Sequence, residues 1–315
     1  MSLPYSDTSA VSHSTAIMTY VSSSEQERLV RAMIKSVREF GGSYRNSNIY
    51  IVLEDQINQP CNSLKGENIE LLPLQMDSAF TDYPLAVKAF AAAQVEKGVA
   101  KDVRSLIWLD PGVLVINSIE ALDLQKNYDV ALRPVTLRNN IGISPGIEPD
   151  EYWKPIYKTN RLNHKELDSV RTIVEEEEIQ PYYNCEVYSV NPKLGICREW
   201  AIQLSGLLRN NIYQKTSCTT FLRQLFLHQA VLSAVVTSKI RKNRLKLLPL
   251  TSSYPFNQHG KLPSDRKITY LNELKIIIFD YAWAKIPAWE DMIPSNEPLK
   301  SWLRETYLEY FNKEK

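Results

Sequence analysis

The sequence predicts an α/β protein with one mainly parallel, Rossmann-like sheet covered by helices on both faces, in a single domain. Three observations carry that prediction. Short apolar segments alternate with longer amphipathic ones, as strands joined by crossover helices do. The apolar segments are nearly unbroken by polar residues, as strands covered on both faces must be. The chain is 315 residues long, 44% hydrophobic and 23% charged, which is an ordinary globular composition with room for a large core.

The elements follow in order. AIMTYV at 16–21 reads as a first strand, and the serines behind it cap a helix whose apolar face is Leu29, Val30, Met33, Ile34 and Val37. Gly41-Gly42 stops that helix. NIYIVLED and IELLPL read as strands, and YPLAVKAFAAAQVEKGV as an alanine-rich helix. Next comes SLIWLDPGVLVIN, two apolar runs around a single acid. YDVALRPV is a further strand, followed by a loop rich in glycine and proline that leads to the aromatic helix EYWKPIY. The acidic run Glu175 to Glu178 reads as a solvated helix end. EVYSVNP is a strand, Ile196 to Arg209 and Phe221 to Val236 fit amphipathic helices, and LKLLPL and LKIIIFDYA read as short strands. The expected division is a tail at 1–15, the α/β domain at 16–290 and a helical C-terminal appendage at 291–315.

Composition also bounds the partners. Lys plus Arg number 37 against 36 for Asp plus Glu, a net charge of +1, so no overall field gathers nucleic acid or an anionic membrane. An anionic ligand must therefore be held locally. The 17 tyrosines and 6 tryptophans suit a sugar-like ligand and equally suit an aromatic core. Four cysteines without C-x-x-C spacing imply free thiols in a reducing cytoplasm and no zinc site. The first residues, MSLPYSDTSAVSHS, show neither a basic n-region nor a long apolar run, so neither a leader nor a transmembrane segment is expected.

In an open α/β sheet, ligands sit beyond the carboxyl ends of the strands. Those ends carry Tyr20 and Ser22, Glu54 and Asp55, Asp110, Arg133, and Asn184 with Glu186.

The ordered series WLDPGVLVIN, YPLAVKAFAAAQ before it, then YDVALRPV, EYWKPIY, YYNCEVYSVNPKLGICREW, FLHQAVLSAVV and LKLLPLTSSYPFN resembles the nucleotide-diphospho-sugar transferases of the GT-A fold. The likeness spans roughly residues 16–285. It implies transfer of a sugar from a nucleoside-diphosphate sugar to a sugar or glycan acceptor hydroxyl; the alternative is a non-catalytic module or assembly subunit on the same fold. A nucleotidyltransferase would want a glycine-rich phosphate loop after the first strand, and TYVSSSEQER has no glycine.

The resemblance also assigns residues. Family members hold Mn²⁺ or Mg²⁺ with both acids of a D-x-D motif, since the cation neutralises the departing diphosphate. Here the triplet is Asp110-Pro111-Gly112, without the second acid. Asp110 is either a turn-former before Pro-Gly or a ligand, and Asp280, where the family keeps a late ligand, is its candidate partner. The donor nucleotide and diphosphate fall to Tyr20, Ser22, Glu54, Lys88, Asp110 and Arg133. Where the family shows N-x-G, this chain has Asn184-Cys185-Glu186, so Glu186 is either a base for the acceptor or an obstruction. His228-Gln229 matches an acid-Gln pair near the acceptor, with His228 either a second catalytic group or a core histidine. Trp153, Asn184, Gln229, Tyr254 and His259 complete the sugar and acceptor set, with Tyr152, Tyr182 and Tyr183 as further stacking candidates.

Overall fold

The computed structural model describes residues 14–54, 61–99, 102–278 and 289–311. A seven-stranded sheet forms its centre. Strands β1 (Thr15–Val21), β2 (Asn48–Leu53), β3 (Ile69–Pro73) and β4 (Ser105–Leu109) are joined in parallel in the order β4-β1-β2-β3. A short strand β5 (Val113–Val115) continues from the turn after β4. On the other side of β4 lie β9 (Val187–Val190), β6 (Val130–Leu132) and β10 (Leu245–Leu247). β9 runs antiparallel to both of its neighbours, and β10 returns parallel to β6. The sheet is thus mainly parallel, as expected, with one reversed strand in its interior.

Period-two alternation divides the strands between two cores. Met18, Tyr20, Leu106 and Trp108 face one core, and Ile17, Val21, Ile107 and Leu109 face the other. Helix α1 (Ser24–Phe40) begins at Ser23, whose hydroxyl accepts the Gln26 N–H, and lays Val30, Met33 and Val37 on the second core. Helix α2 (Val87–Gly98) lays Ala89, Ala92 and Val95 on the first. Small alanines let it lie close to the sheet. It starts four residues later than the sequence suggests, because Leu85 takes a left-handed turn at φ 57°.

A second, three-stranded sheet joins β5 to β12 (Ile276–Ile278) and β11 (Tyr254–Pro255). The C-terminal helix Leu299–Phe311 buries Leu299 and Leu303 in a third cluster, and Trp302 meets Phe40 of α1 edge-on at 5.2 Å.

Two local readings are corrected. Glu175 to Glu178 is not a helix end but the turn and return strand of a hairpin, pairing β7 (Val170–Arg171) with β8 (Glu178–Ile179). Arginines hold the run: the Arg138 amide donates to Glu175 at 2.6 Å, its side chain pairs with Glu177, Arg266 with Glu176 and Arg171 with Glu178. The expected helix from Phe221 to Val236 is two, Phe221–Leu225 and Leu227–Lys239, parted at Phe226 where ψ opens to 5°.

Candidate functional site

The site begins with a stack of rings. Tyr20, Trp108 and Tyr188 stand on the same face of the adjacent strands β1, β4 and β9, with successive centroids 6.0 Å apart and nearly parallel planes. Two residues beyond Trp108, and therefore on the same face, is Asp110. The Trp108 indole N–H donates to Asp110 Oδ1 at 2.6 Å. The other oxygen, Oδ2, pairs with the ammonium of Lys88, which α2 delivers from above the first core. The side chains of Lys88 and Asp110 are only 4% and 15% exposed, so solvent barely screens the pair.

Burial alone would lower the Lys88 pKa, but the carboxylate of Asp110, with smaller help from Cys185, Tyr20 and Glu186, reverses this and holds the ammonium charged. On Asp110, burial raises the carboxyl, Lys88 lowers it and Glu186 raises it again, with a net direction upward. Tyr20 is raised chiefly by burial, and it feels Lys88, Asp110 and Glu54. Tyr20, Glu54, Lys88 and Asp110 thus share one neighbourhood, but Tyr20, expected to line a nucleotide cleft, is 3% exposed and stacked on Trp108. Ser22 lies beside them, its amide and hydroxyl both bound to Gln26 Oε1 at 2.9 and 2.8 Å.

Beyond Asp110 the reversed strand supplies the second half. The Asp110 N–H donates to the Glu186 carbonyl at 2.9 Å. Asn184 clamps Glu186 twice, accepting its amide and donating from Nδ2 to Oε2, both at 2.9 Å. Oε1 of Glu186 has no hydrogen bond among the described residues. Glu186 and Asn184 line a cleft of about 180 Å³ together with Thr136, Gln229, Pro255 and Gln258.

Arg133 lies behind this cleft, fully buried. Its guanidinium donates to the carbonyls of Ser253 and Pro134, both at 2.9 Å, and to the Thr136 hydroxyl at 3.1 Å. No carboxylate stands within ion-pair distance of it among the described residues. Burial lowers its pKa to about 10, against an opposing pull from Glu186.

Other candidates are placed elsewhere. Trp153, expected to stack on a sugar, is 2% exposed, and its indole donates to the Ile141 carbonyl at 2.6 Å amid Tyr152, Tyr157 and Tyr182. Large rings here fill the first core, leaving no face for a ligand. Tyr254 is likewise buried, with its hydroxyl bonded to His259 Nδ1 at 2.7 Å. His228 is 2% exposed; Nδ1 meets the Leu225 carbonyl at 2.8 Å and Nε2 meets Cys185 Sγ at 3.1 Å. Burial, then Lys88, holds this imidazole neutral, and burial pushes the Cys185 thiol up to about 12. The pair is a satisfied core contact with neither thiolate nor imidazolium. Asp280, like Asp55, lies outside the described residues.

Among the described residues the donor set does not suit a divalent cation. Among the described residues no three His, Cys, Asp or Glu side chains gather to hold one. Both oxygens of Asp110 are already engaged, one by an ammonium. Unit charges about 4 Å apart interact by about 4 kcal/mol at an effective dielectric of about 20, so a dication bound there would meet roughly twice that in repulsion from Lys88.

The sequence reading missed Trp108, Thr136 and Gln258. Trp108 was findable, since period two puts it on the face of Asp110. Thr136 reaches the cleft from a bend and Gln258 from the short 3₁₀ helix Phe256–Lys261, neither of which carries such a signal.

No protein-family model matches the chain, and no curated protein matches it. Solved structures do. The galactosyltransferase LgtC, in complex with donor and acceptor sugar analogs, is 14% identical, with 95% of each chain covered and a TM-score of 0.51. An active-site mutant of LgtC gives 13% identity, 95% of each chain and 0.53. The bifunctional glycosyltransferase WbbM gives 16% identity over 97% of this chain and 52% of its own, at 0.50. The chain has the fold of these glycosyltransferases, the GT-A fold, over nearly its whole length.

Proposed function

We propose that the chain is a glycosyltransferase that moves a sugar from a nucleoside-diphosphate sugar to an acceptor hydroxyl. The observation that carries this reading is the junction of Asp110, at the carboxyl end of β4, with Glu186, at the amino end of the reversed strand β9, on a fold shared with a galactosyltransferase solved in complex with donor and acceptor sugar analogs. We assign the donor nucleotide and diphosphate to the strand ends of Tyr20, Ser22, Glu54, Lys88 and Asp110, on the charge of Lys88 and with Tyr20 as a buried support behind it. The acceptor fits the cleft of Asn184, Glu186 and Gln229.

Glu186 is the residue to accept the hydroxyl proton. It lines the cleft, Asn184 fixes one of its oxygens, and the other is free of hydrogen bonds among the described residues. Most of the remaining catalysis is positioning of two substrates and stabilisation of the leaving diphosphate. No helix among the described residues is long and apolar enough to cross a membrane, and the four cysteines are free and buried, which suits a reducing cytoplasm.

A thermal-shift series with nucleoside diphosphates and their sugars tests the reading, because a ligand of the native state raises its melting temperature by mass action. One nucleotide series is expected to raise it by a few degrees at saturation, and that donor is then consumed in a transfer assay. No shift with any of them would refute the proposal; binding without turnover would leave a non-catalytic module.

A further inference from the structure

We propose that two fixed cations, Lys88 on Asp110 and Arg133 behind the cleft, do the work of a divalent metal, so that the chain binds its donor diphosphate without one. The inference rests on the glycosyltransferase reading for the identity of the anion, but its metal half stands alone.

The charge arithmetic favours it. In a D-x-D site, two carboxylates hold a dication and the assembly is neutral before the diphosphate arrives. Here Asp110 and Glu186 supply the two negative charges, and Lys88 and Arg133 supply two positive ones covalently attached to the chain. Direct bonds hold the four together: Lys88 pairs with Asp110, the Asp110 N–H donates to the Glu186 carbonyl at 2.9 Å, and Asn184, whose side chain clamps Glu186, donates its N–H to the Arg133 carbonyl at 2.9 Å.

The local structure suits this arrangement. Pro111-Gly112 replaces the outer acid, and the turn closes with the Val113 N–H on the Asp110 carbonyl at 3.1 Å. Lys88 comes from the first turn of α2, and its ammonium sits where a cation on Asp110 would sit. Arg133, with backbone carbonyls and a hydroxyl but no carboxylate in ion-pair range among the described residues, keeps its charge uncompensated at short range. A buried guanidinium in that state favours an anion in the adjoining cleft.

The decisive measurement is calorimetric titration of the full chain with MnCl₂ alone, comparing wild type, Asp110→Asn and Lys88→Met. Wild type is expected to show no manganese site that Asp110→Asn removes. Lys88→Met, which leaves Asp110 and Glu186 without their nearest cation, is expected to gain manganese affinity by at least about tenfold. If either variant does not fold, wild type alone still decides: no manganese binding upholds the inference, and one tightly bound manganese ion that ADP, GDP, CDP or UDP tightens further overturns it. One manganese ion bound per wild-type chain and lost in Asp110→Asn would overturn the inference.

The second arm titrates ADP, GDP, CDP and UDP in EDTA and in Mn²⁺. The nucleotide that binds is expected to do so with equal affinity in both, and Arg133→Met is expected to weaken it about tenfold or more. A tenfold loss in EDTA, or no change in Arg133→Met, overturns the cation assignment. If none of the four binds under either condition, the donor reading itself fails, while the manganese titration alone still settles the metal.

Discussion

The backbone N–H of Asp110 donates to the carbonyl of Glu186 at 2.9 Å, so the two acids of the site are locked together by main chain and not by side-chain chance. The lock follows from the antiparallel register of β4 and β9, in which Leu109 faces Val187. It fixes Glu186 at the cleft wall. Glu186→Gln preserves this backbone bond and the Asn184 clamp but cannot take a proton. We expect a fall in kcat of about 100-fold or more, with the melting temperature unchanged and donor affinity not weakened. Wild-type turnover in this variant would remove Glu186 as the base.

Trp153 is a core residue by its contacts, and its substitution tells this apart from sugar stacking. Trp153→Phe strands the Ile141 carbonyl that the indole now satisfies. A stability loss of about 1–3 kcal/mol in urea unfolding is expected, with acceptor KM unchanged. The reverse pattern, a raised KM at full stability, would return the ring to the cleft.

How much of this was legible in the sequence follows from the range of the forces concerned. Strands and helices came from periodicities of two and 3.6, which act within a few residues, so β1, α1 and β4 stand where the pattern puts them. Asp110 and Lys88 were found because strand ends and family order single them out. Their pairing was not, because helix packing brings them together across 21 intervening residues. The acidic run misled for the same reason: its partners Arg138 and Arg266 are distant in sequence, and charge pairing overrode local helix preference. Aromatic residues were ambiguous in kind, since one ring serves a core or a sugar equally well until its burial is known.

The ion pair of Lys88 and Asp110 is costly to break from one side only. Lys88→Met leaves a buried carboxylate, and Asp110→Asn leaves a buried ammonium; each is expected to lose about 3–5 kcal/mol. Changing both to apolar residues, Lys88→Met with Asp110→Leu, removes the stranded charge. We expect that double variant to be more stable than either single one while losing donor binding. Denaturant midpoints across the four proteins measure the coupling, and simple additivity would deny that the two charges interact.

The last prediction concerns the opposite end of the sheet. Asp129 precedes β6, whereas Arg133 follows it, so Asp129 sits away from the cleft. Arg244 donates to both of its oxygens at 2.8 and 2.9 Å, and Arg104 and Asn191 each reach Oδ1 at 3.2 Å. This network ties the edge strand β10 to β6 and β9. The hydrogen bonds from Arg244, followed by those from Asn191 and Arg104, outweigh burial and depress the Asp129 carboxyl to about 2. A carboxyl depressed on folding stabilises the native state above its unfolded pKa, and the contribution drains away as pH falls toward the folded one. Lowering this carboxyl from its ordinary value to about 2 corresponds to about 2 kcal/mol, fully present above about pH 5 and lost between about pH 4 and 2. Asp129→Asn is therefore expected to unfold about 2 kcal/mol more easily at pH 7, with the gap from wild type narrowing through that acid window and donor KM unaffected. A gap that stays constant from pH 7 to pH 2 in urea titrations would show that the network contributes no charge-dependent stability.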